Sequence, residues 1–187
     1  MKKVLLILAL GLLTAVSAKQ PNIVFILCDD LGYGDLGVMG HPYVQSPNID
    51  SLANDGIQFA EAYMSAAWCG PSRAALMSGI YPAKNFNQTH VLDPRGPSLA
   101  RMLKDVGYAT AHYGKWHLGP REGGSPPADF GFDEALIYNG TGPTWPKLQM
   151  KDPHWREQST EAIMDAAIGF VEQADDKPFF MNLWVYP

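Results

Sequence analysis

The run Ile23-Val24-Phe25-Ile26-Leu27-Cys28 is apolar throughout. A strand written without polar alternation is one that a sheet buries on both faces, as parallel sheets covered by helical crossovers do. A second run, Phe179-Phe180-Met181-Asn182-Leu183-Trp184-Val185-Tyr186, reads as another buried strand, and Tyr108-Ala109-Thr110-Ala111-His112-Tyr113 as a third. The third follows a helical pattern in which Leu99, Met102, Leu103 and Val106 recur at helix spacing and Gly107 ends the helix. Ile163, Ala167, Phe170 and Val171 set out a further amphipathic helix ahead of the last strand. Helix followed by strand, repeated, predicts an α/β fold with a largely parallel central sheet.

The residues with chemistry to offer cluster at the ends of these strands. Asp29 and Asp30 follow the first, at the carboxyl edge where open α/β sheets bind ligands. Adjacent carboxylates there suit a hard divalent cation, with a polar loop onset or helix cap as the alternative. Lys115 and His117 stand between Gly114 and Gly119 after the third strand, two residues apart, so in extended chain they point the same way. A third group is Trp68-Cys69-Gly70-Pro71-Ser72-Arg73-Ala74-Ala75-Leu76-Met77-Ser78-Gly79. Pro71 suits the first turn of a helix and Gly79 the residue past its end. That places Cys69 at a helix N-terminus, where free N–H groups and the dipole favour an anion, and Arg73 one turn in adds a fixed positive fork.

The connecting segments are less informative. Residues 46–56 read as a short helix with Ile49, Leu52 and Ala53 on one face, and residues 57–64 as an extended segment leading to Cys69. The glycine-rich stretch at 31–37 lacks the spacing of a dinucleotide or Walker phosphate loop and reads as a shaping turn. Asn87 and Asn139 each begin a glycosylation sequon.

With 187 residues, 47% of them hydrophobic and 18% charged, the chain has enough apolar material for one domain with a core. Met1-Lys2-Lys3, the apolar run to Leu13 and the small residues ending at Ala18 have the three regions of a secretory signal peptide. The expectation is cleavage after Ala18 and export to a periplasmic or extracellular space. The run is shorter than the ~20 residues a spanning helix needs, so stable membrane insertion is not expected. The formal charge of −5 becomes more negative once Lys2 and Lys3 are removed, and no Lys/Arg cluster is present, which argues against nucleic acid as a partner. Cys28 and Cys69, the only cysteines, suggest a disulfide in an exported protein, but Cys28 at the end of an apolar strand reads better as a buried small hydrophobe.

Two of these stretches together resemble the sulfatase family. Cys69-Gly70-Pro71-Ser72-Arg73, with Leu76 and Gly79, is similar to its Cys-x-Pro-Ser-Arg signature, and Gly107-Tyr108-Ala109-Thr110 through Gly114-Lys115-Trp116-His117-Leu118-Gly119 is similar to its second signature. Pro21-Asn22-Ile23-Val24 with Asp29-Asp30, Pro47-Asn48-Ile49-Asp50 and Phe130-Gly131-Phe132-Asp133 extend the likeness over the whole chain after the leader, nearest to the arylsulfatase branch.

The resemblance implies an alkaline-phosphatase-like sandwich in which Cys69 is oxidised by a maturation enzyme to Cα-formylglycine. One hydroxyl of the aldehyde hydrate would attack sulfur and displace the alcohol; the other would lose its proton and expel sulfate. It further implies that Asp29 and Asp30 ligate a divalent cation, calcium with magnesium as the alternative, which the modified Cys69 also meets. Arg73 would hold the hydrate, Lys115 would contact it and the sulfate, and His117 would hydrogen-bond it and assist its deprotonation. The implied substrate is a sulfated small molecule or carbohydrate.

Departures from the family pattern are equally specific. Family members commonly carry an Arg and a Gly soon after the segment matching Tyr81-Pro82, where this chain has Lys84 and Asn85. Their further histidine, Asp-Asn metal pair and second lysine would fall beyond Pro187. Residues 19–187 therefore read as the N-terminal part of a sulfatase catalytic domain, with a phosphomonoester or phosphonate hydrolase, or a non-catalytic truncated remnant, as alternatives.

Overall fold

The computed structural model describes residues 19–84, 91–118, 124–137 and 155–185. The leader and both sequons lie outside the described residues. The predicted strands form as β1 (Ile23–Cys28), β2 (Ala109–Gly114) and β4 (Phe179–Val185), with a short β3 (Glu134–Ile137) between the last two. They make one sheet in the order β1-β4-β2-β3, every pair parallel. β4 is thus central, which is why all of its residues are buried.

Helices cover the two faces unequally. On one side α4 (Trp155–Gln173) lays Ile163, Ala167 and Phe170 over β2 and β4, packing against Ala111, Tyr113, Phe179, Met181 and Leu183. On the other, α2 (Cys69–Ser78) contributes Ala74 and Met77, and α3 (Leu99–Asp105) contributes Ala100 and Leu103, to a core around Trp116, Phe130, Phe180 and Trp184. α1 (Pro47–Asp55) stands outside this sandwich; Asp50 accepts from the Val38 amide at 2.9 Å and the Ser46 hydroxyl at 2.7 Å, tying it to the turn at 37–39.

Packing corrects two expectations and qualifies two others. β1 is not buried on both faces: Val24 is 46% and Ile26 51% exposed, because β1 is an edge strand and α4 packs mainly over β2 and β4. α1 forms where its pattern predicts yet buries no residue, leaving Ile49 and Leu52 exposed. α3 turns Ala100 and Leu103 inward, so Leu99, Met102 and Val106 lie outside; a seven-residue helix meets the sheet along a single i, i+3 line. Residues 57–64 make no strand, and Ile57, Phe59 and Tyr63 are exposed.

The β2–β3 connection is fastened by Asp133. Its Oδ2 accepts from the Thr110 amide and hydroxyl, each at 3.0 Å, and its Oδ1 from the Lys104 ammonium at 2.5 Å. Burial pushes the carboxyl up, but the hydrogen bonds from Lys104 and Thr110 outweigh it and hold Asp133 below its ordinary value. The Lys104 pair is largely solvated and contributes little, whereas Thr110 is buried. Asp133→Asn is therefore expected to cost about 1–2 kcal/mol in urea unfolding at neutral pH. A group whose carboxyl is lowered on folding stabilises above its unfolded value and loses that contribution as pH falls through the folded one. The difference from wild type should shrink over that acid window; a gap unchanged at low pH would argue against the carboxylate as its source.

Candidate active site

Three strand ends are brought side by side. The Asp29 amide, just past β1, donates to the Val185 carbonyl at 2.8 Å, and the Lys115 amide, just past β2, donates to the Trp184 carbonyl at 2.9 Å. Gly114, at φ 105°, makes the second contact possible, since it lets β2 turn off the sheet where the backbones of Gly114 and Trp184 are closest. Above this edge sits α2. Trp68 precedes it in extended conformation, the Ser72 hydroxyl donates to the Ala66 carbonyl at 2.8 Å, and Gly79, at φ 70°, closes it by donating to the Ala75 carbonyl. Small side chains at the buried positions Gly70, Ser72 and Ala74 keep α2 close to the sheet.

That closeness buries Arg73. Only 1% exposed, its Nη2 donates to Asp29 Oδ1 at 2.5 Å and its Nη1 to the Lys115 carbonyl at 3.1 Å, while the guanidinium carbon lies 4.7 Å from the Trp184 ring centroid. The Lys115 ammonium donates to Asp29 Oδ2. Burial pushes the Asp29 carboxyl up, but hydrogen bonds from Lys115 and Arg73, together with their charges, hold it below the ordinary carboxylate value. Arg73 therefore does not simply face outward for an anion, as its place in the first turns of a helix suggests; part of its charge is committed to Asp29. Two cations against one carboxylate still leave the cluster net positive at a helix N-terminus. Asp29→Asn would strand both cations in the interior and is expected to cost about 3–5 kcal/mol. Chemical denaturation checks this, and a loss below about 1 kcal/mol would mean that the cluster opens to water.

Cys69 opens α2 with its Sγ 3.1 Å from His117 Nδ1. The extended geometry expected for Lys115 and His117 is absent, because His117 adopts φ 54°. A left-handed non-glycine residue is uncommon and clusters at functional sites. Its effect here is to send the two side chains to different partners, Lys115 to Asp29 and His117 to Cys69. Both ends of the constellation are joined through neighbours in the chain, since Arg73 is one turn from Cys69 and Lys115 is two residues from His117.

Asp30, also left-handed at φ 61°, is exposed, and among the described residues the ion pairs of Arg73 and Lys115 go to Asp29 and not to it. A calcium ion takes six to eight oxygen ligands. Among the described residues no group of three or more His, Cys, Asp or Glu is placed to hold a metal, and both Asp29 oxygens are engaged by cations. The residues present thus fit a part of a cation site and not a whole one.

Reasoning from the sequence missed Trp184 as the surface beneath Arg73, and with it His112 and Asn182. Their signal is a weak one: polar atoms in strands otherwise apolar, with Asn182 and Trp184 two apart on one face of β4 and His112 level with Asn182 in β2. Cys28 and Cys69 are both free thiols, and burial pushes the Cys28 thiol up, in keeping with a packed rather than a reactive group. Among the described residues no helix is long and apolar enough to cross a membrane.

The sulfatase family model matches residues 21–185. Human arylsulfatase A is 44% identical over 144 residues, covering 72% of this chain and 28% of its own length. A sulfatase from Pseudoalteromonas superposes with a TM-score of 0.73 at 28% identity, over 92% of this chain and 44% of that one. A protein crystallised with its substrate D-glucosamine-2-N,6-O-disulfate superposes at 0.70 and 29% identity, over 89% and 34% respectively. The chain thus spans less than half the length of each of these relatives, and its described residues form a parallel-sheet α/β unit of the alkaline-phosphatase-like fold.

Proposed function

Because the chain belongs to the sulfatase family, we propose that the whole protein hydrolyses sulfate esters, with residue 69 as the position of the nucleophile. The observation that carries this is the pairing of Cys69 with His117 at 3.1 Å, at the start of a helix whose next turn holds the buried Arg73. Conversion of Cys69 to Cα-formylglycine by a maturation enzyme supplies a hydrated aldehyde, whose oxygens can attack sulfur and afterwards release sulfate.

The chain's own side chains divide the remaining work. His117 Nδ1, within hydrogen-bonding reach of position 69, takes up and returns the proton there. Arg73 and Lys115, held rigid by Asp29, supply preorganised positive charge for the sulfuryl oxygens, and burial makes that charge count for more than it would in water. Asp29 and Asp30 contribute oxygen ligands toward a divalent cation, calcium before magnesium, whose remaining ligands come from outside the described residues; no step is assigned to it. A sulfated carbohydrate fits the substrate class, as with the neighbour crystallised with a disulfated glucosamine, and the leader at residues 1–18 directs export.

Paired assays of the whole protein on an aryl sulfate and the matching aryl phosphate test this reading, together with mass spectrometry of the peptide spanning Cys69. Preferential sulfate release and an aldehyde mass are expected. A faster phosphate reaction would assign a phosphoester hydrolase of the same fold instead. An alkylatable thiol at position 69 in active protein would overturn the nucleophile.

A further inference from the structure

Behind Arg73, on the side of the sheet that faces α2, five polar atoms of four buried residues have no full hydrogen bond among the described residues: Arg73 Nε, both ring nitrogens of His112, Asn182 Oδ1 and Trp184 Nε1. Each of these residues is 1% exposed or less. They are also neighbours. The His112 ring meets the Trp184 ring edge-on at 4.9 Å, Arg73 lies 4.7 Å over Trp184, and His112 and Asn182 are partners in the register of β2 and β4. Asn182 has its other polar atom accounted for, since Nδ2 donates to Met77 Sδ at 3.4 Å. Burial and the nearby charge of Arg73 push the His112 pKa down to about 3, and weak hydrogen bonding toward the backbone of Lys115 and Gly114 pulls the other way. His112 is neutral, with one N–H and one lone pair to place.

Buried polar groups in folded proteins are almost always satisfied, and those without a protein partner are met by ordered water. We propose that these four residues enclose a buried water behind the active site, and that His112 is the positioning residue through which it steadies Arg73. The bonding inventory balances. A water accepts from Arg73 Nε–H and Trp184 Nε1–H and donates to Asn182 Oδ1 and the lone pair of His112. The remaining imidazole N–H is left to the backbone of Lys115 and Gly114 and to the Trp116 ring, 4.8 Å away at 73°. Packing fixes the plane of Trp184, which is stacked on Trp116 at 6.2 Å, and the water fixes the one guanidinium nitrogen that neither Asp29 nor Lys115 holds. The kinetic part of this inference rests on the proposed sulfate-ester hydrolysis; the water does not.

The test uses the whole protein. A high-resolution crystal structure should show an ordered water within hydrogen-bonding distance of at least three of the four residues; a dry site there overturns the proposal, whatever the enzyme's activity. His112→Gln, which keeps a donor and an acceptor, should retain the water and hold kcat on aryl sulfate within about threefold. His112→Phe, which keeps the ring and loses both, should lower kcat by about tenfold to a hundredfold with KM little changed, the scale of a misplaced catalytic group. Wild-type kcat in a folded His112→Phe protein overturns the positioning role. Should His112→Phe not fold, Asn182→Leu takes its place with the same expectation. A protein that turns over no sulfate ester yet holds the water would sink the function and leave the hydration site standing.

Discussion

Cys69→Ala is expected to lower sulfate-ester turnover of the whole protein by at least about a thousandfold, the scale seen when a covalent nucleophile is removed. The fold should scarcely notice. Cys69 is only half-buried, occupies the first position of α2, where alanine is well tolerated, and gives up one contact, that from Sγ to His117. Its loss costs about 0.5–1.5 kcal/mol. The bonds that join Arg73, Asp29 and Lys115 do not involve the Cys69 side chain, so that cluster keeps its arrangement. Steady-state rates beside a thermal melt separate the two effects. Activity within tenfold of wild type would put the nucleophile elsewhere, and a collapsed melt would show that Cys69 matters for structure instead.

Gly114→Ala should have the largest effect on folding. Gly114 sits at φ 105°, where an L side chain is strained by about 1–3 kcal/mol. A Cβ there would also overlap the carbonyl oxygen of Trp184. Nothing soft can yield, because that carbonyl belongs to the central strand and already accepts the Lys115 amide. Relief requires β2 and β4 to part at the point where the site is built, so the expected loss is at least about 4 kcal/mol, or no soluble folded protein. Urea unfolding and expression yield check this. An alanine variant within about 1 kcal/mol of wild type would mean that the two strands are not so close.

Both variants probe features that the sequence exposes to different depths. Cys69, Arg73, Lys115 and His117 are legible because each lies beside a local signal: a proline and a glycine bracket α2, and two glycines bracket the end of β2. Strand and helix periods are local too, so β1, β2, β4, α1, α2 and α3 fall close to where their patterns predict. What those patterns do not specify is which side of an element finds a neighbour. Leu99, Met102 and Val106 carry the helical period as well as Ala100 and Leu103 do, and only the packing of α3 on the sheet selects the second set.

The sequence by itself determined the parallel α/β architecture and delivered Asp29, Asp30, Lys115 and His117 to strand ends, because side-chain periodicity and the strand-end rule need no knowledge of distant contacts. Tertiary structure decided the rest. Asp29 and Arg73 are 44 residues apart and Asp29 and Lys115 are 86 apart, and they meet only because β4 inserts between β1 and β2. The partner of a charge depends on which elements are adjacent in space. That adjacency turned an arginine expected to await an anion into one held by a carboxylate, over an indole, with a histidine behind it.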